Sequence, residues 1–293
     1  MVRVIEARIR LPTFSIKHPE AFQVRASLPL PQPSTLVGVL AYCVGVAKGM
    51  GTDAAKVVGS WVEEGKLMAA RASLLSGVPP MTVSTTVLRR FRVVDKAHLY
   101  KLPGEGPKYI KAIEDAVQRG EFERIKSMLE KDLTDAFYRE YIMGHEVKCV
   151  WAISDDLELQ PDWIMLAHRL GDTESLCAVL EVKEVGAKVT EDHVVETSFP
   201  THLEGSKLIE GGPYTIMKMC DEAFFHHRKG KPRRFIIPCE ITVKRIRSGV
   251  VPVITPSKVR VEYEEPVKVI KTDGGEEITA YTPTPTRRRG RKR

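Results

Sequence analysis

The chain has 293 residues, of which 43% are hydrophobic and 28% are charged, as in folded globular proteins of one large or two small domains. No apolar run is long enough to cross a bilayer, and the N-terminus alternates with charges, so a cytoplasmic protein without membrane attachment is expected. The formal net charge is +7, but six cations lie in the last seven residues, so overall basicity alone does not indicate a nucleic-acid partner.

The first predicted elements form a strand, two helices and a strand. Residues 2–11 alternate as a strand does. Pro29, Pro31 and Pro33 predict an extended stretch that ends in a helix over residues 34–48, with Ser34 or Thr35 as its N-cap. A second helix is predicted at 53–65 and a strand at 68–77.

Residues 79–145 interrupt this pattern and predict an inserted subdomain. It contains a β-prone arm at 82–94 and two helices at 108–118 and 121–133. A strand at 146–154, a short helix at 163–171 and a strand at 176–185 then complete the order β, α, β, insertion, β, α, β. The predicted fold class is therefore α+β, with a ferredoxin-like sheet of the RRM type over residues 1–185.

The remainder predicts a small β-rich C-terminal domain over residues 186–282 and a disordered basic tail over 283–293. β-prone runs lie at 193–199, 233–247, 250–262 and 266–271. Between them, residues 224–234 are basic, with two aromatics and two histidines. This loop is either a solvated turn or a surface that faces RNA.

The first 50 residues are locally basic and contain the main candidate site. Lys17, His18 and Arg25 precede the predicted helix, whose free backbone N–H groups at Ser34 and Thr35 suit a phosphate or a carboxylate. The alternative is that the two hydroxyls only cap the helix. The sequence there is not a nucleotide-binding P-loop.

Two further candidate groups lie later in the chain. Arg89, Arg90 and Arg92 surround Phe91 on the predicted arm, where cations and a ring suit single-stranded RNA. Gly171 either ends a helix or belongs to a ligand loop.

Metal and disulfide chemistry are not expected. Five scattered cysteines contain no CxxC pair, which predicts reduced, buried thiols, and Cys220 with His226 and His227 lacks the spacing of a zinc site. No cofactor is indicated.

The proline-led segment resembles the N-terminus of the fifth family of CRISPR-associated proteins, in the RAMP superfamily. The matching residues are Phe14, Ser15, Lys17, Pro19, Pro33, Ser34, Thr35, Leu36, Gly38, Leu40 and Ala41. Residues 135–141 and 169–179 resemble later blocks of the same family, and the length and inserted helices look most like its archaeal type I-A form.

This resemblance implies a non-catalytic subunit of the Cascade surveillance complex, with RRM-like fold and a thumb in the insertion. Such a subunit binds the 5′ handle of the crRNA, caps a filament of backbone subunits of the seventh CRISPR-associated family, and touches the large subunit. It also adds Arg139 and the glycine loop, with Arg169, Gly171 and Thr173, to the RNA candidates, although Arg139 and Tyr141 equally suit a core ion pair and packing.

Two other functions stay open. One subtype of the family cleaves repeat RNA without a metal, for which His18 would be the first candidate base. The third function is a scaffold whose cations only keep it in solution.

Overall fold

A computed structural model describes residues 2–20, 24–91, 106–132, 134–144, 146–172, 175–227, 232–247 and 249–282. The chain is a mixed α+β protein built mostly from antiparallel strands. It divides into a larger unit (1–21, 26–84 and 140–293) and a smaller one (22–25 and 85–139). Within the described ranges no helix is both long and apolar enough to cross a membrane.

The strands are β1 (Val2–Arg10), β2 (Thr13–Phe14), β3 (Val24–Arg25), β4 (Leu67–Leu74), β5 (Met81–Phe91), β6 (Thr134–Met143), β7 (Glu146–Ser154), β8 (Ala178–Thr197), β9 (Thr201–His202), β10 (Ser206–Gly211), β11 (Thr215–Met219), β12 (Arg233–Ile237), β13 (Cys239–Ile246), β14 (Gly249–Pro256), β15 (Val259–Thr272) and β16 (Glu277–Thr279). The α-helices are α1 (Pro33–Ala47), α2 (Ala54–Glu63), α3 (Gly106–Gln118), α4 (Phe122–Asp132) and α5 (Phe224–His227). Two 3-10 helices span Gly51–Asp53 and Pro161–Leu166.

The main sheet has the order β10-β15-β8-β1-β7-β4, with β16 paired to β15. One end of the sheet contains the four strands of the predicted β-α-β, β-α-β pattern, β1, β4, β7 and β8. They lie in the order fourth, first, third, second, and each neighbouring pair is antiparallel. The first strand of the chain is therefore central and has hydrogen-bonded neighbours on both sides.

Both faces of this sheet are covered. On one face Ile5 and Ile9 of β1 pack in a core with Leu36 and Leu40 of α1. The indole N–H of Trp151 on β7 donates to the Leu36 carbonyl at 3.0 Å and fixes the helix on the sheet. On the other face Val4 belongs to a second core with Phe199, Ile270 and Ile278. A strand buried on both faces has apolar residues at positions that point to either face, as residues 2–11 do.

Several predicted elements are confirmed and three need correction. The strand at 146–154 and the two helices of the insertion, observed as α3 and α4, are confirmed. The short helix predicted at 163–171 is wrong, because the turn is the 3-10 helix Pro161–Leu166. The helix predicted at 53–65 begins with the 3-10 turn Gly51–Asp53 and ends at Glu63.

The strand predicted at 176–185 is wrong at its end, because β8 continues to Thr197. Its first half pairs with β1 as far as Ala187, and its second half pairs with β15 from Ala187 onward. A new partner thus satisfies the backbone beyond Gly186. The division of the chain at residue 185 into two domains stays a prediction, and the tail over 283–293 lies outside the described residues.

Two smaller sheets complete the fold. One has the order β13-β14-β5-β6-β2, with β3 pairing in parallel with β6, and the other has the order β11-β12-β9. In the second, β12 starts at Arg233 and pairs with β11 along its whole length.

Candidate nucleic-acid interface

The segment around Lys17 is a narrow two-stranded loop. The His18 N–H donates to the Ala26 carbonyl at 3.0 Å, the Leu28 N–H donates to the Ile16 carbonyl at 2.8 Å, and Lys17 faces Ser27 in a β-bridge. Ile16 is buried, whereas Lys17 is exposed. Alternation along an extended backbone therefore directs Lys17 to solvent.

The block at residues 135–141 contributes to the same place. Thr13 and Phe14 pair with Met143 and Ile142 of β6. One step further, the Ser27 N–H donates to Glu140 Oε2 at 3.0 Å. The loop around Lys17 is thus supported from one side by the end of β6.

The glycine loop supports it as well. The Asp172 N–H donates to the Ser15 carbonyl at 3.0 Å, and the Ser15 N–H donates to the Ser175 hydroxyl at 3.0 Å. Gly171 has φ +118°, and a Cβ there would lie 3.1 Å from both the Ser15 oxygen and Ile16 Cγ1. Glycine is required here by conformation and by close approach. Its side-chain-free backbone seats the loop on residues 15–16.

The three blocks of the sequence resemblance therefore meet around residues 13–28. The first block is far from the other two in the chain. It is joined to the end of β6 by strand pairing and by a hydrogen bond to the Glu140 side chain, and to the glycine loop by the backbone hydrogen bond from Asp172 to Ser15. Lys17 and His18 lie at the outer end of this junction, and Arg169 is exposed near its other end, in a bridge with Leu176.

Additional cations, which the sequence analysis did not assign to the site, lie beside this loop. The Lys218 ammonium on β11 donates to Glu20, and Lys218 is paired in register with Arg234 of β12. The hydrogen bond from Lys218 lowers the pKa of Glu20, and the charges of Lys218, His18 and Arg234 lower it further. Arg234 is exposed and makes no ion pair with any described residue. We call Lys17, His18, Lys218 and Arg234 the basic cluster.

The basic loop over 224–234 contains Arg234 but not Lys218. Arg233 and Arg234 are adjacent, but they face opposite ways. The Arg233 guanidinium donates to the Thr282 carbonyl at 2.9 Å and pairs with Glu204 at 3.3 Å. Arg233 is therefore part of the framework, and Arg234 is available to a ligand.

The prediction of an anion-binding site at the start of α1 needs correction. The N-cap is Gln32, not Ser34 or Thr35, and Pro33 is the first helical residue. The Ser34 N–H donates to the Cys220 carbonyl at 3.2 Å, and the N–H groups of Thr35 and Leu36 donate to the Gln32 carbonyl. Since proline has no N–H, every donor of the first turn has a partner inside the protein. This helix end offers no free N–H to a phosphate.

The other candidates are placed as follows. Arg139 is 3% exposed, which agrees with the alternative of a core residue, and its strand pairs with Arg25 in register. Arg89 and Arg90 lie within β5, but their side chains and that of Arg25 are not described. Arg92 and Thr173 lie outside the described residues.

The described part of the chain contains no cluster of side chains suited to metal binding. No three His, Cys, Asp or Glu side chains converge there as metal ligands. All five cysteines are free, and burial raises the pKa of Cys43 to about 12. Free thiols in buried environments agree with the prediction that the cysteines are reduced.

Comparison with known proteins links the fold to CRISPR proteins. Neither family models nor curated sequences give a match. Among solved structures, the chain is similar to a CRISPR protein from Archaeoglobus fulgidus, with a TM-score of 0.50, 16% identity, and coverage of 97% of this chain and 100% of that chain. It also aligns with a chain of a CRISPR RNA-guided surveillance complex (TM-score 0.39, 15% identity, coverage 87% and 90%). A chain of the type III-B Cmr-beta complex bound to cognate target RNA and AMPPnP aligns with a TM-score of 0.32 (16% identity, coverage 88% and 86%). The first comparison shows a shared fold.

Proposed function

We propose that this chain is a non-catalytic, RNA-binding subunit of a CRISPR surveillance complex, and that it holds the 5′ handle of the crRNA with the basic cluster. The observation that carries the proposal is the meeting of the three sequence blocks beneath exposed cations that the fold does not otherwise need. Lys17 makes no ion pair with a described residue, and Arg234 makes none either.

The chemistry of the cluster suits phosphates. Lys218, His18 and Arg234 all act on one carboxylate, Glu20, whose pair with Lys218 is solvent-exposed. Surface ion pairs are worth little, so a phosphate can replace Glu20 as the partner of Lys218 at small cost. His18 is held in place because its Nδ1 accepts the Glu20 N–H at 3.2 Å, which leaves Nε2 for a ligand.

The finer assignment is part of the same proposal. The antiparallel order fourth, first, third, second is the order of a ferredoxin-like sheet. Under this proposal the smaller unit would be the thumb. With the sequence resemblance, these features support a member of the fifth CRISPR-associated family, of the archaeal type I-A form. Such a subunit would cap the filament of seventh-family backbone subunits and contact the large subunit.

The test is binding of a repeat-derived 5′ handle RNA, measured by fluorescence anisotropy. Lys17→Glu and Arg234→Glu should each weaken binding about tenfold or more, since each turns an attraction to phosphate into a repulsion. The control Lys188→Glu changes the same charge at an exposed position on β8 and should leave the affinity within about twofold. Equal losses in all three variants, or none in the first two, would remove the basic cluster from the RNA site.

The absence of catalysis is tested separately. Purified protein is incubated with repeat RNA in the presence of a chelator, and we expect no specific cleavage. Cleavage that disappears in His18→Ala but persists in His168→Ala would replace the proposed function with a metal-independent endoribonuclease.

A further inference from the structure

Strands β13 and β14 form a two-stranded ribbon that extends past its support. They pair along their whole length, from Cys239↔Pro256 to Ile246↔Gly249. The neighbouring strand β5 pairs with β14 only at Val253 and Ile254. The outer part, residues 241–252, which we call the ribbon, is therefore held mainly by its own cross-strand hydrogen bonds.

One face of the ribbon is open to solvent and is apolar except for Arg245. Val243 is 65% exposed, Val250 is 59% exposed and Ile241 is 40% exposed. In register, Val243 faces Pro252 and Val250 faces Arg245, so these side chains share one face. β-Branched residues explain why the strands form, but they do not explain why the side chains of this face are exposed.

The ribbon is also strongly basic. Lys244, Arg245 and Arg247 follow one another along its tip, and none of them makes an ion pair with a described residue. No aspartate or glutamate occurs between Glu240 and Glu262. Three uncompensated cations on a projecting arm create a field that attracts a polyanion.

The shape and composition of the arm distinguish between kinds of polyanion. No Phe, Trp or Tyr occurs between Phe235 and Tyr263, so the ribbon offers no ring on which an unpaired base could stack. Two strands about 4.8 Å apart fit the major groove of B-form DNA, about 12 Å wide, but not the deep, narrow major groove of duplex RNA. Cations then reach the phosphates, while the valines contact sugars and base edges.

We propose that the β13–β14 ribbon is a docking arm for double-stranded DNA, separate from the basic cluster that holds RNA. It binds without sequence preference through Lys244, Arg245 and Arg247, and its apolar face lies in the groove. The chain thereby has two nucleic-acid surfaces of different chemistry, one for a single strand and one for a duplex.

The experiment uses the full chain, a random-sequence 24-base-pair DNA duplex and the single-stranded handle RNA. The ribbon variant carries Lys244→Glu, Arg245→Glu and Arg247→Glu. The control variant makes the same charge change at the exposed residues Lys111, Lys126 and Lys188. The C-terminal tail is present in both, so its contribution to binding is common to them.

The ribbon variant should bind the duplex at least about tenfold more weakly, with handle RNA affinity within about twofold of the parent. Its plot of log affinity against log salt should be shallower by about 2.7, because each phosphate contact contributes about 0.9. A second variant, Val243→Ser with Val250→Ser, should weaken duplex binding about threefold or more without changing that slope, because it removes apolar contacts only.

Three results would overturn the proposal. They are a parent protein that does not bind the duplex, equal losses in the ribbon and control variants, and a loss of RNA binding that matches the loss of duplex binding. Because handle RNA is measured in the same samples, failure of the arm is distinguishable from failure of the RNA function on which the basic cluster depends. Circular dichroism melts of each variant confirm that the fold is intact.

Discussion

Replacing Glu222 by Gln should destabilise the protein by about 3–5 kcal/mol, because it leaves a buried guanidinium without its counter-charge. Arg71 and Glu222 are both 0% exposed. Glu222 Oε1 accepts hydrogen bonds from Arg71 Nη1 and from the Ala70 N–H, the latter at 3.0 Å. Glutamine keeps the shape and an acceptor for Ala70, so the measured cost is that of the lost charge.

The position of Glu222 makes this cost consequential. Two residues earlier, the Cys220 carbonyl accepts the Ser34 N–H, and the Cys220 N–H donates to the Gln32 side chain at 3.0 Å. The ion pair thus fixes the turn that closes the start of α1. For a unit of this size, a loss of 3–5 kcal/mol corresponds to a fall in melting temperature of about 6–20 °C.

A double-mutant cycle decides whether the ion pair is the cause. Urea unfolding is measured for Glu222→Gln, Arg71→Met and the double variant. The double variant should be more stable than Glu222→Gln alone, because it contains no uncompensated buried charge. A cost below about 1 kcal/mol for Glu222→Gln, or strict additivity of the two changes, would refute the reasoning.

Three further outcomes are expected. Gly171→Ala should cost at least about 1 kcal/mol more than Gly205→Ala in urea unfolding, because a Cβ at 171 meets the Ser15 carbonyl, whereas a Cβ at 205 meets no atom within 4 Å; equal costs would contradict the packing account. Burial above all, and then the charges of nearby arginines, lower the pKa of His202 in the fold well below 6.5. The unfolded chain therefore binds a proton that the fold excludes, and stability should fall as pH drops below about 6.5, less so in His202→Phe; a parallel decline in both proteins would exclude His202. Cys43 should resist thiol reagents at pH 8 until urea unfolds the chain, because burial raises its pKa to about 12; rapid labelling of the native protein would contradict this.

Local sequence patterns were enough to predict the elements that depend little on contacts with distant parts of the chain. A short apolar run is enough for β7, and helix periodicity is enough for α3 and α4. The start of α1 depended on more. Gln32 serves as the N-cap because its side chain reaches Cys220, 188 residues away, and no local propensity contains that contact. The end of β8 likewise depended on β15.

The residues of the candidate site likewise divide into those that the sequence could predict and those that it could not. Lys17 was predictable because it is a cation in a locally basic stretch, and a lysine is seldom buried. Lys218 was not, because its proximity to Glu20 follows from the pairing of β11 with β12 and from the path of the chain before α1. Arg233 and Arg234 look equivalent in sequence. Only the register of β12 shows that Arg233 is bonded within the protein and that Arg234 is exposed.

Because the three sequence blocks meet in the fold, packing alone explains part of their resemblance to the family. Gly171 approaches Ser15 so closely that packing alone demands glycine, and Ser34 is held by the Cys220 carbonyl. A glycine at position 171 would therefore occur in any protein with this junction, whether or not it bound RNA, and the contact of Ser34 uses only its backbone N–H. Packing gives no such reason for an exposed lysine at position 17 or an exposed arginine at position 234. Since the fold does not require these cations, they are the residues at which the RNA-binding proposal should be decided.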